Sequence, residues 1–196
     1  MRHATTALHP TLLNTVLPEA GMIKHVLLAL AGTALLTVSA KIQIPFWPVP
    51  MTMQTFAVLV IGMAFGPRLG AATVLLYLAE GAAGLPVFAG TPEKGLGIAY
   101  MAGPTGGYLL GFAVSAFVVG TLAERGWDRG VFTTLAAMGI GTAIIFALGV
   151  GWLATLIGPE KAIEFGLVPF LAAAAFKIAL AAAVLPLAWQ ALGSRR

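Results

Sequence analysis

Residues 131–157 read VFTTLAAMGIGTAIIFALGVGWLATLI, a run from Val131 to Ile157 without a single Asp, Glu, Lys or Arg. A helix crossing ~30 Å of hydrocarbon needs about 20 mostly apolar residues, because the bilayer offers no water to backbone N–H and C=O groups. This run exceeds that length, so it reads as a membrane span. The whole chain agrees: of 196 residues 59% are hydrophobic and 9% charged, with a mean hydropathy of +0.95, where soluble domains carry roughly 25% charged residues. An integral membrane protein follows, and a soluble globular domain is excluded.

Working outward from this span, five further apolar runs appear: Ile23 to Ala40, Met53 to Phe65, Leu69 to Ala83, Gly106 to Ala123 and Gly166 to Leu192. The expected fold is all-α, with six transmembrane helices. Pro67-Arg68 separates the short second and third runs, which predicts a tight helical hairpin. Between the first and second runs, Ile44-Pro45-Phe46-Trp47-Pro48-Val49-Pro50 holds three prolines and two aromatics. It cannot be regular helix, and an extended or re-entrant segment is expected. The Gly- and Pro-rich stretch from Gly81 to Gly107 carries Phe88, Tyr100 and Met101, too apolar for a solvated loop. Such irregular backbone is tolerated at membrane depth where it is buried in protein or lines a cavity.

The expected organisation is a surface segment over 1–22 without a cleavable signal, a membrane domain over 23–192 and a tail over 193–196. With the N-terminus inside, Arg2, Lys24, Arg68, Arg125, Arg129, Arg195 and Arg196 fall on the cytoplasmic side, against Lys41, Lys94 and Lys161 outside. The basic excess inside places both termini in the cytoplasm. Two rows of small residues at four-residue spacing, Gly107-Gly111-Ser115 and Gly139-Ala143-Ala147-Gly151, predict close helix contacts. Packing inside the bundle is favoured over contact with another subunit.

Several chemistries lack their residues. Zero cysteines remove disulfides and thiolate sites, and the three histidines, His3, His9 and His25, crowd near the N-terminus. No metal or cofactor is expected. The basic residues are scattered rather than clustered, which argues against nucleic acid. No Gly-x-x-x-x-Gly-Lys-Ser/Thr loop occurs, so the chain has no ATPase motif of its own, and no paired carboxylates or nucleophile elbow lie inside a span. An enzyme is not expected.

Lys177 is the informative exception. It lies inside the otherwise apolar run Phe170 to Leu185, where a lysine costs about 2.5 to 3.5 kcal/mol on insertion scales. Counted from Gly166 it is ~16 Å along the helix, too deep to reach the surface easily. Pairing with Glu80 or snorkelling would offset the cost; the favoured reading is an ammonium facing a pocket, where it binds an anionic ligand group such as a carboxylate. Gln54 opens the second run and offers both donor and acceptor to a polar, neutral ring. Tyr77, Tyr100 and Tyr108 have apolar faces with polar tips, suited to a small-ligand cavity or to an interfacial belt. Gly103-Pro104-Thr105-Gly106-Gly107 precedes a helix and can bring backbone amides near a ligand.

Three stretches in order, Pro50-Met51-Thr52-Met53-Gln54-Thr55-Phe56, Tyr77 through Gly90 (YLAEGAAGLPVFAG) and Ala102 through Phe112 (AGPTGGYLLGF), together resemble the BioY family. The resemblance extends from about Lys41 to Lys177. It implies a biotin-specific membrane component of an energy-coupling factor transporter, working in a bacterial cytoplasmic membrane with a transmembrane coupling subunit and cytoplasmic ATPases. The family's last-helix basic residue, placed for the biotin carboxylate, matches Lys177. Its Gly-Asp before that position is Ala173-Ala174 here, so one expected carboxylate contact is missing. Gln54, Trp47, Tyr77, Phe88 and Tyr108 are expected around the rings, under a lid formed by Gly84 to Gly90 and by Gly103 to Gly107. Related subunits dock the coupling subunit through Ala-x-x-x-Ala on the first helix; here the corresponding row is Ala29, Thr33 and Thr37. The alternatives are another carboxylated vitamin on the same fold, or a self-sufficient oligomeric biotin carrier or channel.

Overall fold

The structure, a computed structural model, describes residues 9–17 and 21–193. Five helical stretches are long and apolar enough to cross a membrane: Met22–Lys41, Gln54–Ala82, Gly106–Ala123, Val131–Ile157 and Pro159–Gly193. In chain order the helices are α1 (Leu12–Val16), α2 (Met22–Lys41), α3 (Gln54–Ala82), α4 (Gly97–Met101), α5 (Gly106–Ala123), α6 (Val131–Ile157), α7 (Pro159–Gly166) and α8 (Leu171–Gly193).

The second stretch is not one rod. Gly66 adopts φ 81° and ψ 177°, a conformation that glycine takes without penalty, and Pro67 follows with no N–H to continue the ladder. A Cβ built on Gly70 would sit 2.9 Å from the Gly62 Cα, although residues eight apart in a straight helix are ~12 Å apart. The chain therefore folds back on itself at Gly66, and 54–65 packs antiparallel to 67–82 as the proline signal predicts. Helix α5 lies across this hairpin: a Cβ on Gly62 would approach Ala116 O to 2.7 Å, and one on Gly120 would approach Pro67 N to 2.5 Å.

Three expectations change. The chain is not purely helical, because Gln43–Ile44 (β1) and Met51–Thr52 (β2) pair antiparallel, with Gln43 opposite Thr52 and Ile44 opposite Met51. The proline-rich segment between them is the connection of this ribbon; it bends over 47–49, and 48–50 are buried. The last span does not begin at Gly166: α7 ends there, a single 3-10 turn covers Val168–Phe170, and α8 starts at Leu171. Pro169 removes an N–H and disfavours helical backbone before it, which makes the chain turn first.

The row Gly139-Ala143-Ala147-Gly151 faces outward; Ala143, Ala147 and Gly151 are exposed, and a Cβ on Gly139 or Gly151 would meet nothing within 4 Å. The buried face of α6 is instead Gly141, Ile145, Gly149 and Leu153, which no spacing argument singles out. The first row does pack inside: Gly111 lies against Ile145 on α6, and Ser115 is buried.

The two ends of the bundle are distinct. At one, His9 N–H donates to Glu124 O (2.7 Å), Arg129 donates to Pro10 O (3.3 Å) and Trp189 Nε1–H donates to Asp128 Oδ2 (2.7 Å). Within the 1–22 segment, Thr11 and Leu13 are buried; residues 1–8 and 18–20, and 194–196 of the tail, lie outside the described residues. Lys24, Arg68, Arg125 and Arg129 belong to this end, whereas Lys41, Lys94 and Lys161 belong to the other, with the ribbon and the 83–105 segment. Arg2, Arg195 and Arg196, on which the predicted basic excess depends, are likewise outside the described residues.

Candidate ligand-binding site

Lys177 stands on the second turn of α8, and its side chain reaches inward. Nζ donates to the Thr52 carbonyl (2.5 Å) and to Thr55 Oγ1 (3.0 Å). Both acceptors are neutral, so the positive charge has no counter-charge among its recorded partners. An ammonium has three N–H donors; two are engaged here, and one is left for a ligand. Glu80, the carboxylate weighed as its partner, accepts from Thr33 Oγ1 instead (3.0 Å).

The cavity beside the ammonium measures about 50 Å³, and its polar lining is Thr52, Gln54, Thr55, Tyr100, Thr105, Tyr108 and Lys177. Its apolar walls include Leu109 and Phe112 from α5, Ile145 and Phe146 from α6, and Phe170. A second void of about 30 Å³ shares Thr55, Ile145, Phe146, Phe170 and Lys177 with it. Gln54 is buried, and its Nε2 has no partner of full hydrogen-bond geometry among the described residues. The Gln54 side chain interacts with the Tyr77 hydroxyl, which itself donates to Val87 O at 2.9 Å. A buried amide with donor capacity to spare is costly, and Gln54 lines the space that a ligand can fill.

The outer wall is fixed by side chains gripping successive carbonyls of one loop. Tyr77 donates to Val87 O (2.9 Å), Lys41 to Phe88 O (2.9 Å) and Tyr100 to Ala89 O (2.8 Å). Lys41 also reaches Thr91 O and Oγ1, both at 3.0 Å. The Phe88 ring stacks on Tyr100 with centroids 5.0 Å apart and meets Tyr77 edge-on at 5.4 Å. Burial pushes the Tyr100 phenol up from its ordinary value, against the side chain of Thr105, so it stays a neutral donor. Across the site, Tyr108 donates to Gly166 O at 2.7 Å and joins α5 to the end of α7.

The sequence profile of the BioY family matches residues 7–194. The chain belongs to the BioY family. It is 38% identical over 148 residues to the probable biotin transporter BioY of Pyrococcus horikoshii, an alignment covering 76% of this chain and 85% of that protein. It is 44% identical over 154 residues to the biotin transporter BioY of Thermotoga maritima, covering 78% and 88%. Its fold matches the crystal structure of the S-component for biotin from an ECF-type ABC transporter with a TM-score of 0.70 at 22% identity, covering 86% of this chain and 92% of that one.

Within this BioY chain, Lys177, Gln54 and Tyr108 converge on the one cavity. Tyr77 and Phe88 lie behind it, in the aromatic stack that supports the loop. Trp47 is 74% exposed and meets the edge of Phe165, at 6.3 Å. Gly103 accepts from Trp152 Nε1 (2.9 Å) and Gly107 packs on Leu148 and Trp152, so neither lines the cavity, whereas Thr105 between them does. Ala29 and Thr33 are buried and Thr37 is half-buried, its hydroxyl bonded to Thr33 O; they do not form an outward row. The exposed side of α2 carries Ile23, Val26, Leu27, Leu30 and Val38. Thr52 and Thr55, which hold the ammonium, sit in the same short motif as Gln54, and that adjacency was the available signal. Ile145 and Phe146 had none, lying in a run where almost every residue is apolar.

Proposed function

We propose that the chain captures biotin in the Lys177–Gln54 cavity and acts in its uptake as the substrate-specific subunit of an energy-coupling factor transporter. The observation that carries this is the Lys177 ammonium, held by two neutral acceptors at the edge of a cavity in a chain of this family. The biotin carboxylate takes the third N–H and supplies the missing counter-charge. The ureido carbonyl accepts from Gln54 Nε2, and the ring system lies along Leu109, Phe112 and Ile145. Voids of 30 and 50 Å³ are far below the roughly 300 Å³ and more of ordinary ligand pockets. A wall must therefore yield on binding.

The wider reading has six spans, each arm of the α3 hairpin counted separately, with both termini in the cytoplasm of a bacterial cell. Biotin is taken from outside, and energy comes from a transmembrane coupling subunit with cytoplasmic ATPases. Titration of the detergent-purified chain with biotin tests the capture step without partners. Lys177→Met should weaken binding at least tenfold, about 1.4 kcal/mol, while an analogue lacking the carboxylate should lose little more on that variant. Equal affinity of wild type and Lys177→Met for biotin removes the carboxylate assignment.

A further inference from the structure

On the far side of the Lys177–Thr52 contact lies a larger, open-sided chamber of about 260 Å³ between the β-ribbon and α8, open to the outside past Ile42, Ile44 and Phe176, which are 57%, 58% and 65% exposed. Thr52 and Lys177 line both spaces, so their hydrogen bond is the partition between them. The chamber walls are apolar, with Ile42, Ile44, Met51, Ala173 and Phe176 among them, and its one further polar residue is Gln43. Gln43 Oε1 is buried and has no hydrogen-bond partner among the described residues. The chamber thus combines an unmatched acceptor, a cation with a spare donor, and greasy surfaces. A carboxylate would find its charge partner in Lys177 but nothing to give Gln43. A secondary amide matches both, because its C=O accepts from the ammonium and its N–H donates to Gln43 Oε1.

We propose that this side chamber receives an uncharged, mainly apolar substituent on the carboxyl carbon of the ligand, so that the chain binds biotin amides of small alkylamines as well as free biotin. The inference rests on the assignment of the carboxylate to Lys177, since that places the carboxyl carbon at the partition. The amide gives up the ion pair and is the weaker ligand; the chamber keeps its binding measurable.

The test is calorimetric titration of the intact chain with biotin and with biotin N-propylamide, in wild type, Ala173→Phe, the milder Ala173→Leu, and Gln43→Leu. Filling the chamber should weaken the amide at least about tenfold through steric exclusion while shifting free biotin by less than about threefold. Gln43→Leu should cost the amide about fivefold, the order of one neutral hydrogen bond, and leave free biotin unchanged. Free biotin is also the control for folding. If wild type binds biotin but not the amide, or binds the amide equally well after Ala173→Phe, the inference is overturned and the chamber is left to lipid. If filling it weakens biotin as much as the amide, the chamber is part of the biotin pocket itself and the inference again fails. If wild type binds neither, the proposed function fails first.

Discussion

Asp128 shows how a single residue can register pH at the end of the bundle away from the cavity. It is fully buried, its Oδ2 accepts from Trp189, and its Oδ1 has no partner of full hydrogen-bond geometry among the described residues. Burial pushes its carboxyl above the ordinary carboxylate value, against the opposing effects of the Trp189 hydrogen bond, its own backbone N–H, Arg129 and His9. A carboxyl with a raised folded-state pKa opposes folding while ionised, and that opposition is relieved as pH falls through the raised value toward the unfolded one. The melting temperature of wild type relative to Asp128→Asn should therefore rise on acidification from pH 7 into the carboxylate range. Parallel melting curves would remove the assignment. Asp128 gave no signal in the sequence, because a loop aspartate beside an arginine looks solvated. Lys177 and Gln54 were legible for the opposite reason: a cation or an amide within an apolar run stands out, since its burial must be compensated. Their partners Thr52 and Thr55 were harder to see, because a hydroxyl is cheap to bury almost anywhere.

Among the elements, the α3 hairpin and the loop over the cavity are the two on which the site depends. Gly62 admits no side chain between α5 and the returning arm, so Gly62→Val should destabilise the protein by about 1 to 3 kcal/mol, or more where the backbones cannot separate. Loss of melting temperature in detergent, or loss of membrane accumulation, measures it. The loop is different, since its contacts with Lys41 are polar and reversible. Lys41→Met removes three hydrogen bonds to Phe88 and Thr91 while leaving the aromatic stack. Biotin dissociation, followed by stopped flow, should quicken at least about tenfold, the order of one hydrogen bond to a charged group, with a smaller fall in melting temperature. An unaltered off-rate would mean that the tyrosines hold the loop alone. Span positions were readable from hydropathy because lipid imposes one length and one polarity on every crossing. The ribbon was not, because four paired residues leave no periodicity to detect, and the outward turn of Gly139 to Gly151 was not, because lipid-facing and protein-facing alanines look the same.

For the molecule as a whole, the proposed orientation can be checked directly, because the chain has no cysteine of its own. Lys94→Cys should react with a membrane-impermeant maleimide in intact cells, and Arg125→Cys only after permeabilisation; the reverse pattern would invert the topology. Uptake into liposomes containing only this chain separates a self-sufficient carrier from a subunit that needs ATPases, and no biotin accumulation is expected without them. The arms of the α3 hairpin carry one more consequence. Residues 54–65 rise ~18 Å and residues 67–82 ~24 Å, both short of a hydrocarbon layer ~30 Å thick. Lipid beside the 67–82 arm, where Ala72, Leu75 and Ala79 are exposed, must compress or tilt, at fractions of a kcal/mol per Å of mismatch. A neighbour with an equally thin rim would share that deformation, so bilayer elasticity alone draws the two together before any side chain touches.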